Sequence, residues 1–252
     1  MVRRFLYDAV GRIALREHEW HLMNYGFAPE EGDTVTPEVT ATAEERFGLL
    51  MYQRVVGPYD LTNQDVLEIG CGRGGGAAYI ARHFGPQRLL ALDFAPQLVQ
   101  LCQRSHQSPN LEFQVGNAMD LGLEDEAFDN VINVESSHCY NDKPAFWSEV
   151  RRVLRPGGHF HYTDVFRPKV WQRTLRQLRK MGFEIEDEED VTPGVLRAIN
   201  EDASRRQRLI ERYTPFWLRH EAAAWAGLPG SAPYQNLEDG THPYVRCVAR
   251  RA

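Results

Sequence analysis

The sequence predicts an α/β fold built on a mostly parallel sheet, and three observations support this prediction. Apolar runs of strand length alternate with stretches of helical length between Val66 and Thr163. This alternation implies right-handed crossovers between parallel neighbours. The first apolar run ends in the glycine-rich turn of residues 70–76, and the second ends in Asp93. Parallel sheets bind ligands at the carboxyl ends of their strands, so this turn and this carboxylate mark the candidate site.

Length and charge narrow the class of protein. A chain of 252 residues suits one α/β domain with an appended cap, and its formal net charge of -6 gives no field that favours nucleic acid. The cluster Arg205-Arg206-Gln207-Arg208 is a local basic exception, which we interpret as a solvated helix face rather than a phosphate track. We therefore expect no nucleic-acid partner.

Cysteine spacing and hydropathy indicate in which cellular compartment the protein is expected. The four cysteines lack Cys-x-x-Cys spacing, which argues against a structural zinc site and a disulfide framework and favours a reducing, cytoplasmic compartment. Residues 1–8 contain two arginines but no sustained apolar region, so they do not predict a signal peptide. No apolar run approaches the length that spans a bilayer, and we expect no stable membrane insertion.

Residues 1–60 predict an N-terminal helical extension or lid. Thr42 with Glu45 three residues later has the spacing of a capping box, and it predicts the start of a helix that runs to about Val56.

Residues 61–252 predict the main domain. Strands are expected near 65–69, 89–93, 111–115, 128–134 and 158–163. Helices are expected near 75–84, 96–106 and 143–154.

After Thr163 the pattern changes. A basic amphipathic helix is expected over 171–180, a strand from Phe183 into the acidic run 186–190, and a final strand over 244–249. Between the last two strands, a helical segment from Thr192 to about Trp225 forms an insertion near 191–235. This insertion is long enough to roof a pocket, and the alternative is a helix pair that only thickens the fold.

The glycine-rich turn and Asp93 together indicate a nucleoside-bearing cofactor. Glycines allow the backbone to pass close to a ligand, and a carboxylate about 20 residues later is placed to bind ribose hydroxyls. A glycine-rich turn alone also serves as a plain connection between strand and helix. Here the preceding strand, the following helix and Asp93 favour the cofactor. Glu68 stands two residues before the first glycine, where dinucleotide-binding strands usually carry an apolar residue.

The pattern Glu-x-Gly-x-Gly-x-Gly at residues 68–74 resembles the first motif of class I S-adenosylmethionine-dependent methyltransferases. Segments 115–121, 128–134 and 153–158 resemble the adenine-contacting turn, the fourth strand and the turn before the fifth strand of that family. The resemblance covers roughly residues 60–165 in the expected order. It implies a Rossmann-like, seven-stranded, mostly parallel sheet with flanking helices, and S-adenosyl-L-methionine as cofactor.

The resemblance also implies roles for residues of the cofactor site. Glu68 would reach the cofactor's amino group directly or through water, Asp93 would bind the ribose, and Phe94 would lie against the adenine. The turn beneath the methionine part, the adenine-contacting turn and the end of the fourth strand would contribute Gly70, Cys71, Gly72, Gly74, Asn117, Ala118, Met119, Val134 and Glu135.

Three of these assignments carry reservations. Asn117 departs from the family's common aspartate, and its amide oxygen can still accept from the adenine amine, with binding weaker by about 1 kcal/mol. For Glu68 and Glu135 the alternative is a simple surface carboxylate at the end of a strand.

The segment after the fourth strand, residues 135–140, is the candidate catalytic loop. Methyl transfer to oxygen needs a nucleophile in line with the methyl group and a base that takes the hydroxyl proton. His138 is the candidate base because neutral imidazole accepts protons near neutral pH, although a lone histidine is often structural. Asp164, at the end of the fifth strand, is a candidate to orient the imidazole or the substrate hydroxyl.

Segments 24–27, 74–76 and 134–140 most closely resemble the phthiotriol and phenolphthiotriol dimycocerosate methyltransferases and related natural-product O-methyltransferases. The resemblance implies a small-molecule acceptor, apolar or aromatic, that carries a hydroxyl, and it is compatible with a homodimer. Four aromatic residues are candidates to line an acceptor pocket, and a core role is the default for each: Trp20, Tyr25, Phe216 and Trp217.

Two other functions stay open. One is methylation of a small molecule at carbon or nitrogen on the same scaffold, and the other is a protein that retains S-adenosylmethionine without methylating. A nucleic-acid methyltransferase is disfavoured by the acidic charge and by the absence of Asn-Pro-Pro-aromatic after the fourth strand. No cluster of carboxylates and amides predicts a metal.

Overall fold

A computed structural model describes residues 21–30, 32 and 45–252 of the chain. Trp20 and Thr42, and therefore the predicted start of the first helix, lie outside the described residues. The described helix α1 is Arg46–Val56. The carboxylate of Glu45, just before it, accepts from the backbone N–H groups of His21 and Leu22 at 2.8–3.1 Å.

The predicted sheet is confirmed, with seven strands in the order β3-β2-β1-β4-β5-β7-β6. The strands are β1 Asp65–Ile69, β2 Arg88–Asp93, β3 Leu111–Val115, β4 Phe128–Val134, β5 Leu154–Val165, β6 Phe183–Asp190 and β7 Tyr244–Arg251. The first five are parallel, and β7 runs antiparallel between β5 and β6. The strand order reverses between β1 and β4, which places a crevice at their carboxyl ends.

Helices cover both faces of the sheet. The remaining helices are α2 Gly75–His83, α3 Pro96–Ser105, α4 Lys143–Val153, α5 Pro168–Lys180, α6 Thr192–Tyr213, α7 Arg219–Trp225 and α8 Ala232–Glu238. Buried residues of α1, α2, α3 and α6 form a core on one face, and those of α4 and α5 form a core on the other. Among the described residues, no helix combines the length and apolar character needed to cross a bilayer.

The predicted long helix after Thr192 is divided. α6 ends at Tyr213, a 3-10 turn covers Phe216–Leu218, and α7 follows directly. Pro215 explains the break, because proline lacks the N–H that would continue the helix and forces the preceding residue into an extended conformation. Thr214 accordingly has φ -107° and ψ 128°.

Two further predictions need correction. β5 begins at Leu154, four residues before the predicted start, because Leu154 pairs with Phe128 ahead of a register shift. The arginine cluster of α6 is not wholly a solvated face. Arg206 is buried, and its guanidinium bonds the Asp202 carboxylate at 2.9 Å and the carbonyl oxygens of Tyr25 and Ala226.

Candidate active site

The glycine-rich turn joins β1 to α2 in backbone conformations that favour glycine. Gly70, Gly72 and Gly74 have φ values of +80°, +56° and +79°. The N–H groups of Gly70 and Cys71 both donate to the carbonyl oxygen of Leu92, at 2.8 and 2.9 Å, which fixes the turn against the end of β2. Cys71 is buried. Its thiol lies within hydrogen-bonding reach of the thiol of Cys102, which is also buried.

Asp93 holds the same turn from the end of β2. One carboxylate oxygen accepts from the Gly72 N–H and the other from the Ala95 N–H, both at 2.9 Å. Burial raises the pKa of Asp93, and these backbone hydrogen bonds oppose the rise. The structure therefore brings Asp93 and the glycine-rich turn together.

The region assigned to the adenine contains exposed apolar side chains. Phe94 is 61% exposed and Val115 is 54% exposed, at the carboxyl ends of β2 and β3. The Oδ1 of Asn117 accepts from the Met119 N–H at 3.1 Å, and this bond closes a tight turn beside them, in which Ala118 is buried. Exposed apolar surface next to a polar turn suits a flat aromatic ligand.

Glu68 is not a surface carboxylate. It is 1% exposed, its Oε1 accepts from the Tyr52 hydroxyl at 2.6 Å, and its Oε2 has no hydrogen-bond partner among the described residues. Burial raises the pKa of Glu68 to about 7, against the lowering effect of the Tyr52 hydrogen bond. A buried carboxylate oxygen without a donor is costly, and a ligand ammonium would satisfy it.

Glu135 is also a structural junction rather than a surface carboxylate. It follows β4 with a φ of +47°, a strained value for a residue other than glycine. Its Oε2 accepts from the Tyr25 N–H and from the Tyr244 hydroxyl, both at 2.7 Å. Burial raises the pKa of Glu135 to about 7. Val134 before it is buried at the end of β4.

His138 and Asp164 are in direct contact. His138 lies in the 3-10 turn Ser137–Cys139, and its Nδ1 is 2.9 Å from Oδ1 of Asp164. Asp164 is fully buried at the end of β5, whereas the His138 side chain is 32% exposed. Because a carboxylate only accepts, Nδ1 carries the proton and Nε2 carries the lone pair of the neutral imidazole.

Both carboxylate oxygens of Asp164 accept two hydrogen bonds each. It accepts from the Ser137 hydroxyl at 2.6 Å, from the N–H groups of His138 and Val165 at 2.8 Å, and from the His138 ring. The Tyr162 hydroxyl lies 2.5 Å from that of Ser137 and must donate to it. Burial alone would raise the pKa of Asp164, but the charge of His138 and these hydrogen bonds hold it below its ordinary value.

Of the aromatic residues expected to line an acceptor pocket, Tyr25 is partly buried and packs against the core, whereas Phe216 and Trp217 are not core residues. Phe216 and Trp217 are 76% and 66% exposed, and their rings contact each other. The ring of Tyr25 lies 6.4 Å from that of Tyr244. Within the described ranges, no group of three or more His, Cys, Asp or Glu side chains is arranged to hold a metal.

Several site residues were missed by sequence reasoning. Tyr52, Tyr244, Ser137 and Tyr162 come from three distant parts of the chain, and no local motif marks the tyrosines. A signal existed only for Ser137, which adjoins His138.

Residues 67–162 match the family model described as "Methyltransferase domain". The chain is 38% identical to the probable phthiotriol/phenolphthiotriol dimycocerosates methyltransferase 2 of Mycobacterium ulcerans (strain Agy99), over 84% of this chain and 83% of that protein.

Two further matches extend the comparison. The fatty-acid O-methyltransferase of Mycolicibacterium smegmatis (strain ATCC 700084 / mc(2)155) is 33% identical over 94% of this chain and 86% of its own. The crystal structure of the [4+2]-cyclase SpnF superposes with a TM-score of 0.72 at 22% identity, covering 98% of this chain and 93% of that one. This last likeness concerns the fold alone.

Proposed function

The chain belongs to the class I S-adenosylmethionine-dependent methyltransferases, and we propose that it methylates a hydroxyl group of a lipid, polyketide or similar small molecule. The enzyme class and the cofactor follow from the family. The contact between His138 and Asp164 carries the choice of a hydroxyl.

The cofactor region suits S-adenosylmethionine. When bound, S-adenosylmethionine supplies an electrophilic methyl group on a sulfonium. The unpartnered Oε2 of Glu68 would face the amino group, Asp93 would hold the ribose, and Phe94 would cover the adenine. Asn117 would accept from the adenine amine through the second lone pair of Oδ1, since Met119 occupies the first. Val134 and Glu135 would border the methionine region.

His138 would remove the proton of the acceptor hydroxyl at Nε2. The Nδ1–H bond to Asp164 selects this tautomer, and the buried negative charge stabilises the imidazolium that forms. Because four donors already occupy its lone pairs, Asp164 stays a carboxylate while His138 carries the proton. The hydroxyl of an aliphatic alcohol has a high pKa, so methylation at its oxygen requires a base that removes the proton.

The acceptor class is supported by the names of the relatives. One is named for phthiotriol and phenolphthiotriol dimycocerosates and another for fatty acids, and the chain matches both over most of its length. We propose that segment 21–30, within the N-terminal extension of residues 1–60, and the helical insertion near 191–235 form the walls of the acceptor site. Glu135, Tyr25 and Arg206 connect these two parts.

Methylation at carbon or nitrogen is the second candidate. A neutral amine needs no base, so the His138–Asp164 pair favours it less than a hydroxyl. A protein that holds the cofactor without methylating is a third candidate, since SpnF, named a cyclase, has this fold.

The cofactor assignment is tested by calorimetric titration with S-adenosylmethionine and S-adenosylhomocysteine. We expect micromolar binding by the wild-type protein that Asp93→Ala abolishes. The absence of binding by the wild-type protein would overturn the central assignment.

The hydroxyl assignment is tested by mass spectrometry of products from hydroxylated lipids and polyketides. We expect His138→Ala to lower turnover by about 100- to 10,000-fold while its affinity for S-adenosylhomocysteine stays unchanged. His83→Ala, which changes an exposed histidine at the end of α2, is the matched control. Full activity of His138→Ala would contradict the proposal, and an amine or carbon product would select the second candidate.

A further inference from the structure

Phe216 and Trp217 form an exposed aromatic pair, which we call the aromatic tip, in the 3-10 turn between α6 and α7. They are 76% and 66% exposed, and their ring centroids lie 5.2 Å apart. Two other exposed large apolar residues, Phe94 and Val115, border the proposed adenine site. Side chains exposed to this degree do not line an enclosed acceptor pocket in the described structure, and adjacent exposed aromatic side chains indicate an interaction surface.

Exposed arginines precede and follow the aromatic tip in the chain. Arg208 and Arg212 lie one turn apart on α6, and Arg219 begins α7. The guanidinium of Arg219 donates to the Glu211 carbonyl oxygen at 2.7 Å, so it folds back against the end of α6. Three arginines against the two exposed carboxylates of Glu211 and Glu221 leave this region positive in a chain of net charge -6.

We propose that the aromatic tip docks the enzyme on an anionic lipid membrane. Tryptophan and phenylalanine settle at the boundary between headgroups and acyl chains, and arginines bind anionic headgroups. A three-residue turn inserts into a deformable lipid surface without the broad complementary area that a stable protein interface requires. The proposed acceptor also favours a membrane as the binding partner, because a long apolar acceptor resides in a lipid phase. This step rests on the proposed function.

The helix that precedes the aromatic tip, α6, is connected to the active site by hydrogen bonds. Arg206 on α6 donates to the carbonyl oxygens of Ala226 and Tyr25 at 3.0 and 2.8 Å. The Tyr25 N–H in turn donates to Glu135, which follows β4. A membrane contact at the aromatic tip would therefore bring the lipid surface to the element that borders the proposed acceptor site.

Vesicle flotation tests the docking surface without any need for turnover. We expect the wild-type protein to bind vesicles of phosphatidylcholine with phosphatidylglycerol and to bind vesicles of phosphatidylcholine alone more weakly. Phe216→Ser with Trp217→Ser should weaken binding by about tenfold or more, because two apolar side chains no longer leave water. Arg208→Gln and Arg212→Gln should each weaken binding to the anionic vesicles by about fivefold.

Val170→Ser is the matched control, since it removes an exposed apolar side chain from α5, on the other face of the sheet. It should bind as the wild-type protein does. Binding should also shift the tryptophan emission to shorter wavelength, and Trp217→Phe should bind but lose most of the shift. Because the changed side chains are exposed, circular dichroism should show that every variant folds.

Three results would overturn the docking surface. The first is that the wild-type protein binds neither kind of vesicle. The second is that the serine double variant binds as tightly as the wild type. The third is that the protein forms a dimer in solution and Trp217→Ser dissociates it. The two proposals fail separately. Vesicle binding without methylation of lipid acceptors would refute the proposed function alone, and methylation without vesicle binding would refute the docking surface alone.

Discussion

At the scale of single residues, the chemistry of the site depends on carboxylates that occupy very different environments. Asp164 is surrounded by donors and has a lowered pKa, so it remains charged. Glu68 has one hydroxyl donor and a pKa raised to about 7 by burial. A charged Asp164 can orient a base such as His138. Glu68, which lacks a full set of donors, can bind the cationic group of a ligand.

Asp164→Asn tests the orientation of His138. The amide has one oxygen that accepts, and its NH2 group would face donors, so the Nδ1–H of His138 loses its fixed partner and the imidazole loses its orientation. We expect turnover to fall by about 100-fold or more, with unchanged affinity for S-adenosylhomocysteine. Steady-state kinetics with calorimetry measures both quantities. Asp125→Asn serves as control, because this carboxylate is 74% exposed and pairs with Arg152 instead of His138.

Glu68 gives a stability prediction with a definite sign. Its pKa is about 7 in the folded protein and near 4.5 in the unfolded chain, so between these values the folded state binds more protons. The contribution of Glu68 to stability is therefore complete below the lower value and is lost as pH rises through the upper one. We expect this loss to be about 3 kcal/mol in the ligand-free protein.

Urea unfolding of ligand-free protein at mildly acidic and mildly alkaline pH measures this loss. Glu68→Gln should flatten the pH dependence, and Glu112→Gln, at an exposed position of β3, should leave it as in the wild type. An identical pH dependence in wild type and Glu68→Gln would show that Glu68 does not titrate with the raised pKa.

At the scale of elements, the close packing of α1 on α2 places the Tyr52 hydroxyl beside Glu68. A Cβ on Gly76, in the first turn of α2, would overlap the ring of Tyr52 from α1. The absence of that Cβ lets the ring approach and brings the Tyr52 hydroxyl to Glu68. This glycine is needed for close approach, whereas Gly70, Gly72 and Gly74 are needed for their positive φ.

Gly76→Ala is expected to destabilise the protein by about 1–3 kcal/mol, because the Tyr52 ring must move. It should also weaken binding of S-adenosylhomocysteine, since Glu68 loses its oriented partner. Denaturant unfolding and calorimetry measure the two effects. In a Tyr52→Ala background the alanine has space, so the same substitution should cost little. Equal losses in both backgrounds would contradict the steric explanation.

At the scale of the whole molecule, one buried arginine joins parts that lie far apart in the chain. Arg206 on α6 pairs with Asp202 and donates to backbone carbonyl oxygens beside α7 and in segment 21–30. Segment 21–30 also contacts the glycine-rich turn, where the Gly75 N–H donates to the His21 carbonyl oxygen at 3.2 Å. Hydrogen bonds therefore connect α6, segment 21–30 and the glycine-rich turn to one another.

Arg206→Ala should lower the free energy of unfolding by about 1–3 kcal/mol, since two buried carbonyl oxygens lose charged donors. We also expect faster hydrogen exchange in segment 21–30, detected by mass spectrometry. Arg208→Ala, at an exposed position two residues later on α6, should change neither quantity. Unchanged exchange in Arg206→Ala would show that the segment is held by its other contacts.

The sequence by itself determined the α/β class, most strand positions and the cofactor turn, because these depend on local periodicity and on glycines within a few residues. Only the tertiary structure decided the division of the helix near Pro215, the burial of Arg206 and Glu68, and the contact between His138 and Asp164. These features depend on which distant side chains meet. Tyr52, Tyr162 and Tyr244 reach the site from separate elements, and the order of strands in the sheet, which no local pattern encodes, brings β4, β5 and β7 side by side.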